Sequence, residues 1–333
     1  MRASDAAVRD AAKHAMADIT PSQRALGEWL AFARQLADAA HELLAPAAAL
    51  RPEVEVKADR SFVTALDAQI ETRLRELIGQ RYPTHGILGE EHGASGADAE
   101  LVWVLDPIDG TAPFIAGVPV FGTLIALAVA GRPVIGVMHL PVTFQRWEGV
   151  VGRATTLNGS AVRTRSCATL SQAILTSSNP DFFSAAERPA LDALRERTAW
   201  RIYGGCCMSY GLLAAGRTDV AIDTGFKVWD YAPFRPIIEG AGGVITDWQG
   251  QPLTLASGNQ VLAAGSAQRH DEARRLVERA LVDASTVAAT TSTTTSTTAS
   301  TTASATASAT AAATAAATAA ADRTPEGAHG HPH

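Results

Sequence analysis

The chain has 333 residues, 47% of them hydrophobic and 19% charged, so it is long enough to bury a substantial core. Its formal net charge is -6, and an acidic chain does not attract polyanions over long range, which argues against general nucleic-acid binding. The three cysteines, two of them adjacent, do not form a disulfide framework and are typical of a reducing compartment, so we expect a cytoplasmic protein.

Both ends of the chain differ from its centre. Residues 1–20 carry scattered charges and no apolar run, which predicts an N-terminal extension rather than a secretory signal. Residues 286–321 are almost entirely Ser, Thr and Ala and a short His-rich end follows them, which predicts a solvated low-complexity tail over 285–333. The uncharged run 110–131 is roughly as long as a membrane span. Its glycines and prolines instead favour a loop followed by a buried strand, so we expect no membrane contact.

The first part of the predicted fold is helical. Apolar residues recur at helical spacing from Pro21 to Leu44, and Pro46 is expected to close this helix. Thr64 and Asp67 have the spacing of a capping box, which predicts the start of a second helix that ends before Pro83.

Strands and helices then follow in a mixed order. The predicted strands of the centre are Leu101–Leu105, Gly122–Val129, Pro133–Leu140 and Gln145–Val151. The segments predicted for the second half are Ala173–Thr176, Ser184–Arg197, Arg201–Tyr203, Met208–Arg217, Asp219–Asp223, Trp229–Ala241, Val244–Trp248, Gln260–Ala264 and Asp271–Val282. Because the two element types do not alternate strictly, we expect an α+β or layered α/β architecture with subdomains at 21–160 and 161–284.

The strongest chemical signal follows the predicted strand Leu101–Leu105. Asp106 ends that strand, Pro107 is expected to turn the chain, and Asp109 lies three residues after Asp106. Two carboxylates directed at one point repel each other unless a cation lies between them, and oxygen ligands suit Mg²⁺. A plain turn would also explain these residues, since Asp-Pro and Asp-Gly are common turn dipeptides.

Two further acidic positions support the metal interpretation. Glu90 and Glu91 follow a short apolar strand, although a solvated loop would also account for them. Asp230 opens the predicted helix Trp229–Ala241, where it could simply be the N-cap, and Pro236 is expected to kink that helix.

The ordered motifs together resemble a known family. They are Gly89-Glu-Glu91, Asp106-Pro-Ile-Asp-Gly-Thr111, Trp229-Asp-x-Ala232 and Glu239-Gly-Ala-Gly-Gly243. This set resembles the inositol monophosphatase family of metal-dependent phosphatases over about Ala25 to Leu281. Within the family the chain is most similar to the histidinol-phosphatase branch. The segments behind that choice are Gly86–Glu91, Phe121–Ala126, Tyr203–Gly205, Tyr210–Gly216 and Pro236–Trp248.

The resemblance implies a layered αβαβα sugar-phosphatase fold and two to three Mg²⁺ ions. The implied metal ligands are Glu90, Asp106, the Ile108 carbonyl, Asp109 and Asp230. The resemblance also implies that Thr111 and Glu90 activate the attacking water, that Asp67 and Lys57 lie near a further metal, and that no phosphoenzyme forms. The implied substrate-binding residues are Glu90, Asp109, Gly110, Thr111, Arg201 and Asp230.

The expected activity is hydrolysis of L-histidinol phosphate, a small phosphomonoester, in histidine biosynthesis. Two departures from the branch pattern concern the substrate: Ala112 replaces a lysine, and Cys206 replaces an acid expected near Arg201. A neutral Cys206 cannot pair with the cationic groups of histidinol phosphate. An inositol-phosphate or broad sugar-phosphate phosphatase is therefore the alternative, and a non-catalytic phosphate-binding protein is the third. Cys206 is either a reactive thiol or a small filler. Family members are often homodimers, and the sequence leaves this protein's oligomeric state open.

Overall fold

The computed structural model describes residues 21–48, 55–56 and 62–286. The predictions for the N-terminal extension, Lys57 and the tail beyond residue 286 lie outside this description. The chain divides after Ala280 into two units, of which the first contains the sheets and the acidic residues discussed above. Among the described residues, no helix combines the length and the hydropathy that a membrane span requires.

The described helices are numbered in chain order. They are α1 (Gln23–Ala47), α2 (Ala65–Arg81), α3 (Thr111–Ala116), α4 (Arg188–Arg197), α5 (Cys206–Ala214), α6 (Val228–Tyr231), α7 (Phe234–Gly240) and α8 (267–286). Helix α1 turns its predicted apolar stripe into the core, where Leu26, Leu36 and Leu44 are fully buried. Pro46 does not close α1, because it lies in the last turn, where only Ala47 follows it in the helix.

The strands form two large sheets and one small one. They are β1 (Glu55–Val56), β2 (Phe62–Val63), β3 (Gly86–Gly89), β4 (Gly93–Ser95), β5 (Leu101–Asp109), β6 (Gly122–Val129), β7 (Arg132–Leu140), β8 (Gln145–Val150), β9 (Thr156–Leu157), β10 (Ser160–Ala161), β11 (Ile174–Ser177), β12 (Trp200–Tyr203), β13 (Val220–Asp223), β14 (Val244–Thr246) and β15 (Val261–Ala264). The first large sheet has the order β10-β9-β8-β7-β6-β5-β3-β4, and the second has the order β12-β11-β13-β15-β14. Strands β1 and β2 pair with each other.

Helices cover both faces of the eight-stranded sheet. Helices α1 and α2 contact β5, β6 and β7 on one face, and α6 and α7 contact β5 to β8. Helix α7 also contacts β14, so it lies between the two sheets, and α5 contacts both β7 and β13. The predicted layered architecture is confirmed, and the ends of its elements differ from the predictions by a few residues. The subdomain boundary near residue 160 stays a prediction.

Strand β5 is longer than predicted. It continues past Asp106 to Asp109, and its register with β6 shifts between these two residues. Pro107 therefore does not turn the chain out of the sheet. It has no N–H to donate, so it lies at the irregularity, and its carbonyl accepts a hydrogen bond from the Thr123 hydroxyl at 2.8 Å. The strand consequently delivers both aspartates from one continuous backbone.

The predicted helix Trp229–Ala241 is two helices, and its predicted kink at Pro236 is wrong. The break between α6 and α7 comes at Pro233, which is the N-cap of α7. Pro236 lies in the first turn of α7, where its missing N–H has no intrahelical acceptor to lose. Asp230 is likewise not an N-cap, because Lys227 is the N-cap of α6 and Asp230 is the third helical residue.

A buried histidine joins α1 to the sheet. Arg146 Nε donates to His139 Nδ1 at 3.3 Å, so His139 Nε2 carries the proton and donates to His41 Nδ1 at 3.0 Å. Burial, with smaller contributions from the charges of Arg146 and His41, lowers the pKa of His139 from 6.5 to about 4. Folded His139 is therefore neutral over a pH range in which unfolded His139 is protonated.

We expect this difference to make stability depend on pH. Between pH 6.5 and about 4 the unfolded state binds the extra proton, so the free energy of unfolding falls as pH falls, by about 3 kcal/mol across the window. His139→Gln cannot titrate, so its unfolding free energy, measured in urea at pH 7 and pH 4, should fall less than that of the wild type. Equal pH dependence in the two proteins would contradict the assignment.

Candidate metal centre

Three aspartates from two elements converge in the first unit. Asp106 and Asp109 come from β5, and Asp230 comes from α6, which packs against β5. One carboxylate oxygen from each lies within 4.8 Å of the others. The acids predicted from separate motifs are therefore brought together into one group, called the acidic cluster below.

Asp106 is the most deeply buried member of the acidic cluster. It is 1% exposed, and its Oδ1 has no hydrogen-bond partner among the described residues. Burial, followed by the charges of Glu90, Asp109 and Asp230, raises the pKa of Asp106 well above its ordinary value. An oxygen without a donor, surrounded by like charges, fits a hard divalent cation, whose charge would balance the group.

Asp109 accepts a hydrogen bond from a residue of helix α5 that lies 98 residues later in the chain. The backbone N–H of Cys207, in the first turn of α5, donates to Asp109 Oδ2 at 2.7 Å. Burial raises the pKa of Asp109, and this hydrogen bond partly opposes the effect. The Thr111 hydroxyl donates to the Ile108 carbonyl at 3.1 Å. A carbonyl oxygen has two lone pairs, so this contact leaves Ile108 able to serve as a metal ligand.

Asp230 is fixed by its own short helix. Its Oδ2 accepts the backbone N–H of Lys227 at 2.6 Å. Burial and the charge of Asp109 raise the pKa of Asp230 well above its ordinary value. Trp229 and Ala232 pack against Val102 and Val104 of β5, so α6 is held against the strand that carries the other two aspartates.

The charges of Glu90 and Asp67, which are not members of the acidic cluster, both raise the pKa of Asp106. The Glu90 N–H donates to the Leu105 carbonyl at 3.2 Å, directly before Asp106. Asp67 is 1% exposed, and its Oδ2 accepts the Thr64 N–H at 2.9 Å, as the capping-box spacing predicts. The same oxygen also accepts the Thr64 hydroxyl at 2.6 Å. Burial raises the pKa of Asp67, and the charge of Glu91 adds to this effect.

Gly110 connects β5 to α3 in a backbone conformation that favours glycine. Its φ is 82°, and a Cβ atom at this position would lie 3.0 Å from the Cys206 sulfur. Helix α3 begins at Thr111, directly after Gly110. Cys206 therefore packs directly against the Gly110 backbone at the acidic cluster. Burial raises the pKa of the Cys206 thiol, which favours the filler interpretation over a reactive thiolate.

Arg201, which the resemblance implies to be a substrate-binding residue, makes none of the hydrogen bonds described above for the acidic cluster. It lies on the exposed edge strand β12, and its guanidinium donates to the Arg195 backbone carbonyl. The structure thus gives Arg201 no hydrogen bond to the acidic cluster, and its substrate contact stays a prediction.

Asp223 is a further buried aspartate to which no sequence motif gives a role. Asp223 ends β13, is fully buried, and accepts hydrogen bonds from Ser177 Oγ at 3.0 Å, Ser178 N at 2.7 Å and Tyr210 OH at 2.9 Å. Burial outweighs these bonds and raises its pKa to about 7. Tyr210, which donates to Asp223, lies on α5, the same helix whose Cys207 N–H binds Asp109, so α5 links Asp223 to the acidic cluster. An acid at the end of a predicted buried strand, as at Asp106, was the available signal.

A layered α/β fold with a cluster of carboxylates at the end of a strand defines the structural class. Comparisons with known proteins give the family. Residues 25–282 match the model of the inositol monophosphatase family. The chain is 40% identical over 266 residues to the bifunctional phosphatase IMPL2, chloroplastic, of Arabidopsis thaliana, covering 77% of each chain. It is 36% identical over 229 residues to a histidinol-phosphatase of Mycobacterium tuberculosis, covering 66% of this chain and 88% of that one.

The solved structures agree with this assignment. An inositol monophosphatase from Zymomonas mobilis superposes with a TM-score of 0.71 at 38% identity, covering 78% of this chain and 100% of that one. The chain belongs to the inositol monophosphatase family and is a phosphatase of that family. The predicted family and fold are therefore confirmed.

Proposed function

We propose that this protein is a Mg²⁺-dependent phosphomonoesterase that hydrolyses L-histidinol phosphate to L-histidinol and phosphate. The observation that carries the proposal is the convergence of Asp106, Asp109 and Asp230 within 4.8 Å. Similarity to a histidinol-phosphatase supports this substrate, and similarity to the bifunctional phosphatase IMPL2 supports phosphatase activity without naming a substrate.

Each residue has a defined task in the proposed reaction. Glu90, Asp106, Asp109, Asp230 and the Ile108 carbonyl would hold two to three Mg²⁺ ions, which when bound polarise the phosphoryl group and lower the pKa of water. Glu90, with the Thr111 hydroxyl, orients the attacking water and accepts its proton. The backbone N–H groups of Gly110 and Thr111 bind phosphate oxygens. Asp67 supports a further metal from the first turn of α2.

The alternative substrate class is an inositol phosphate or sugar phosphate. Cys206 favours it, because the thiol stays protonated beside the acidic cluster and offers no charge to a substrate cation. The structural similarity to an inositol monophosphatase also supports it.

A substrate panel tests the proposal. Phosphate release from histidinol phosphate, inositol 1-phosphate and sugar phosphates is measured with and without Mg²⁺, and then with Li⁺, which should inhibit. Mg²⁺-dependent turnover of histidinol phosphate above the others supports the proposal. Turnover of inositol 1-phosphate alone would contradict histidinol phosphate as the substrate and would still support a Mg²⁺-dependent phosphomonoesterase. Mg²⁺ binding without any turnover would favour a non-catalytic phosphate-binding protein.

Cys206→Asp should change substrate preference. A carboxylate at this position could pair with the cationic groups of histidinol phosphate, and a charge-assisted hydrogen bond is worth about 1.5–3 kcal/mol. We expect kcat/KM for histidinol phosphate, relative to inositol 1-phosphate, to rise by about tenfold or more. Cys206→Asn is the matched neutral control and should leave the ratio near that of the wild type. An unchanged ratio in both variants would place position 206 away from the substrate.

A cytoplasmic location and a homodimer complete the proposal. Family resemblance is the basis for the dimer, and the cysteine composition is the basis for the location. Light scattering of the full chain measures the assembly, and a monomer at micromolar concentration would contradict the dimer.

A further inference from the structure

A buried glutamate lies one helical turn beyond Asp67. Glu71, on α2, is fully buried, and residues four positions apart on a helix share a face. The proposed chemistry gives this residue no task. A buried carboxylate is costly unless its oxygens are paired, so its contacts indicate why it is there.

Both oxygens of Glu71 bind the turn that follows β3. Oε2 accepts the Glu91 backbone N–H at 2.7 Å, and Oε1 accepts the His92 backbone N–H at 3.2 Å. Arg75 Nε donates to Oε1 at 2.7 Å, and the same guanidinium donates to the Gly93 carbonyl. One ion pair on α2 therefore fixes three consecutive backbone positions of the turn.

Gly89 makes room for this contact. A Cβ atom on Gly89 would lie 2.1 Å from Glu71 Oε1 and 2.4 Å from its carboxyl carbon. Gly89 lies in β3 without a positive φ, so the requirement is space and not backbone conformation. The glycine of the Gly-Glu-Glu motif thus has a physical reason: the Glu71 carboxylate lies directly against it.

Glu90 is held between two fixed points. Its own N–H is bonded to the Leu105 carbonyl, and the next N–H along the chain, that of Glu91, is bonded to Glu71. Leu105 directly precedes Asp106, so the first bond sets the distance from Glu90 to the strand that carries the acidic cluster. The second bond sets the direction in which the turn leaves β3.

We propose that Glu71 is a positioning residue, whose carboxylate holds the Gly89–His92 turn so that Glu90 is presented to the acidic cluster. The inference rests on the proposed metal-dependent function. Both oxygens of Glu71 are occupied by the turn and by Arg75, so Glu71 should affect metal affinity more than the chemical step.

Glu71→Gln tests this role in the full chain. The amide cannot accept both backbone bonds and the arginine pair equally, so the turn should loosen. By calorimetry, Mg²⁺ affinity should fall by about 10- to 100-fold, whereas kcat at saturating Mg²⁺ should change much less. In metal-free protein, amide hydrogen exchange at Glu91 and His92 should be faster than in the wild type.

Glu148→Gln is the matched control. Glu148 is also a buried glutamate, 8% exposed, and it pairs with Arg34 at 2.9 Å and 2.6 Å on a strand away from this turn. The Glu148→Gln variant should be less stable than the wild type and should bind Mg²⁺ with unchanged affinity.

The outcomes separate the two proposals. The inference is overturned if Glu71→Gln matches the wild type both in Mg²⁺ affinity and in the exchange rates of the Glu91 and His92 amides. Absence of Mg²⁺ uptake by the wild type would overturn the proposed function, and the exchange rates would still decide the role of Glu71. If Glu71→Gln does not fold, Arg75→Gln replaces it. This variant should weaken Mg²⁺ binding in the same direction by a smaller factor, and an unchanged affinity would overturn the inference.

Discussion

Asp106→Asn should lower kcat/KM by at least about a thousandfold, which corresponds to about 4 kcal/mol of lost transition-state stabilisation. Asp106 provides the buried carboxylate at the centre of the acidic cluster, and its Oδ1 has no donor among the described residues. An amide keeps the shape but removes the charge that a divalent cation requires. Phosphate release at saturating Mg²⁺, together with calorimetric titration of Mg²⁺, measures both losses.

The same substitution should stabilise the metal-free protein. Burial raises the pKa of Asp106, so above the ordinary pKa of aspartate the folded state holds a proton that the unfolded state releases. Stability therefore falls as pH rises above about 4, and removing the carboxyl group removes this cost at neutral pH. Urea unfolding in EDTA should show a higher midpoint for the variant.

Asp38→Asn is the control for this experiment. Asp38 is 63% exposed and pairs with Arg146 on the surface, so its loss should change neither activity nor metal binding appreciably. Retained activity in Asp106→Asn, or a lower midpoint in EDTA, would contradict the interpretation of the acidic cluster.

Gly136→Ala should strongly destabilise the protein. A Cβ atom at Gly136, on β7, would lie 2.1 Å from the Pro233 carbonyl oxygen and 2.8 Å from its carbonyl carbon. These are backbone atoms at the break between α6 and α7, so they cannot rotate away. We expect the free energy of unfolding to fall by about 3 kcal/mol or more. Because α6 carries Asp230, Mg²⁺ affinity should fall as well.

Gly79→Ala makes the same substitution at a position where we expect it to stabilise the protein. Gly79 lies within α2, and a Cβ atom there would meet nothing within 4 Å. Alanine in a helix interior is favoured over glycine by about 0.5–1 kcal/mol, so the variant should be more stable. Urea unfolding of both variants measures the contrast, and a loss below about 1 kcal/mol for Gly136→Ala would show that α7 can move away cheaply.

Local patterns predicted most elements and the order of the acidic motifs. The apolar stripe of α1, the capping box at Thr64 and the strand Gly122–Val129 all depend on neighbours within a few residues, which a sequence displays directly. The break at Pro233 and the continuation of β5 past Pro107 were missed. The patterns predict a turn at Pro107 and a kink at Pro236, whereas the effect of a proline depends on whether its missing N–H would have had an acceptor.

The sequence by itself determined the chemistry: which acids are available, in what order, and that they resemble the ligands of a phosphatase family. Only the tertiary structure decided how those acids are held. Three contacts join residues that lie 20 to 98 positions apart in the sequence. They are the hydrogen bond from the Cys207 N–H to Asp109, the hydrogen bond from the Glu91 N–H to Glu71, and the close approach of Pro233 to Gly136. Such contacts leave no periodic signal, because they arise from the packing of one element against another and not from the spacing of residues within an element.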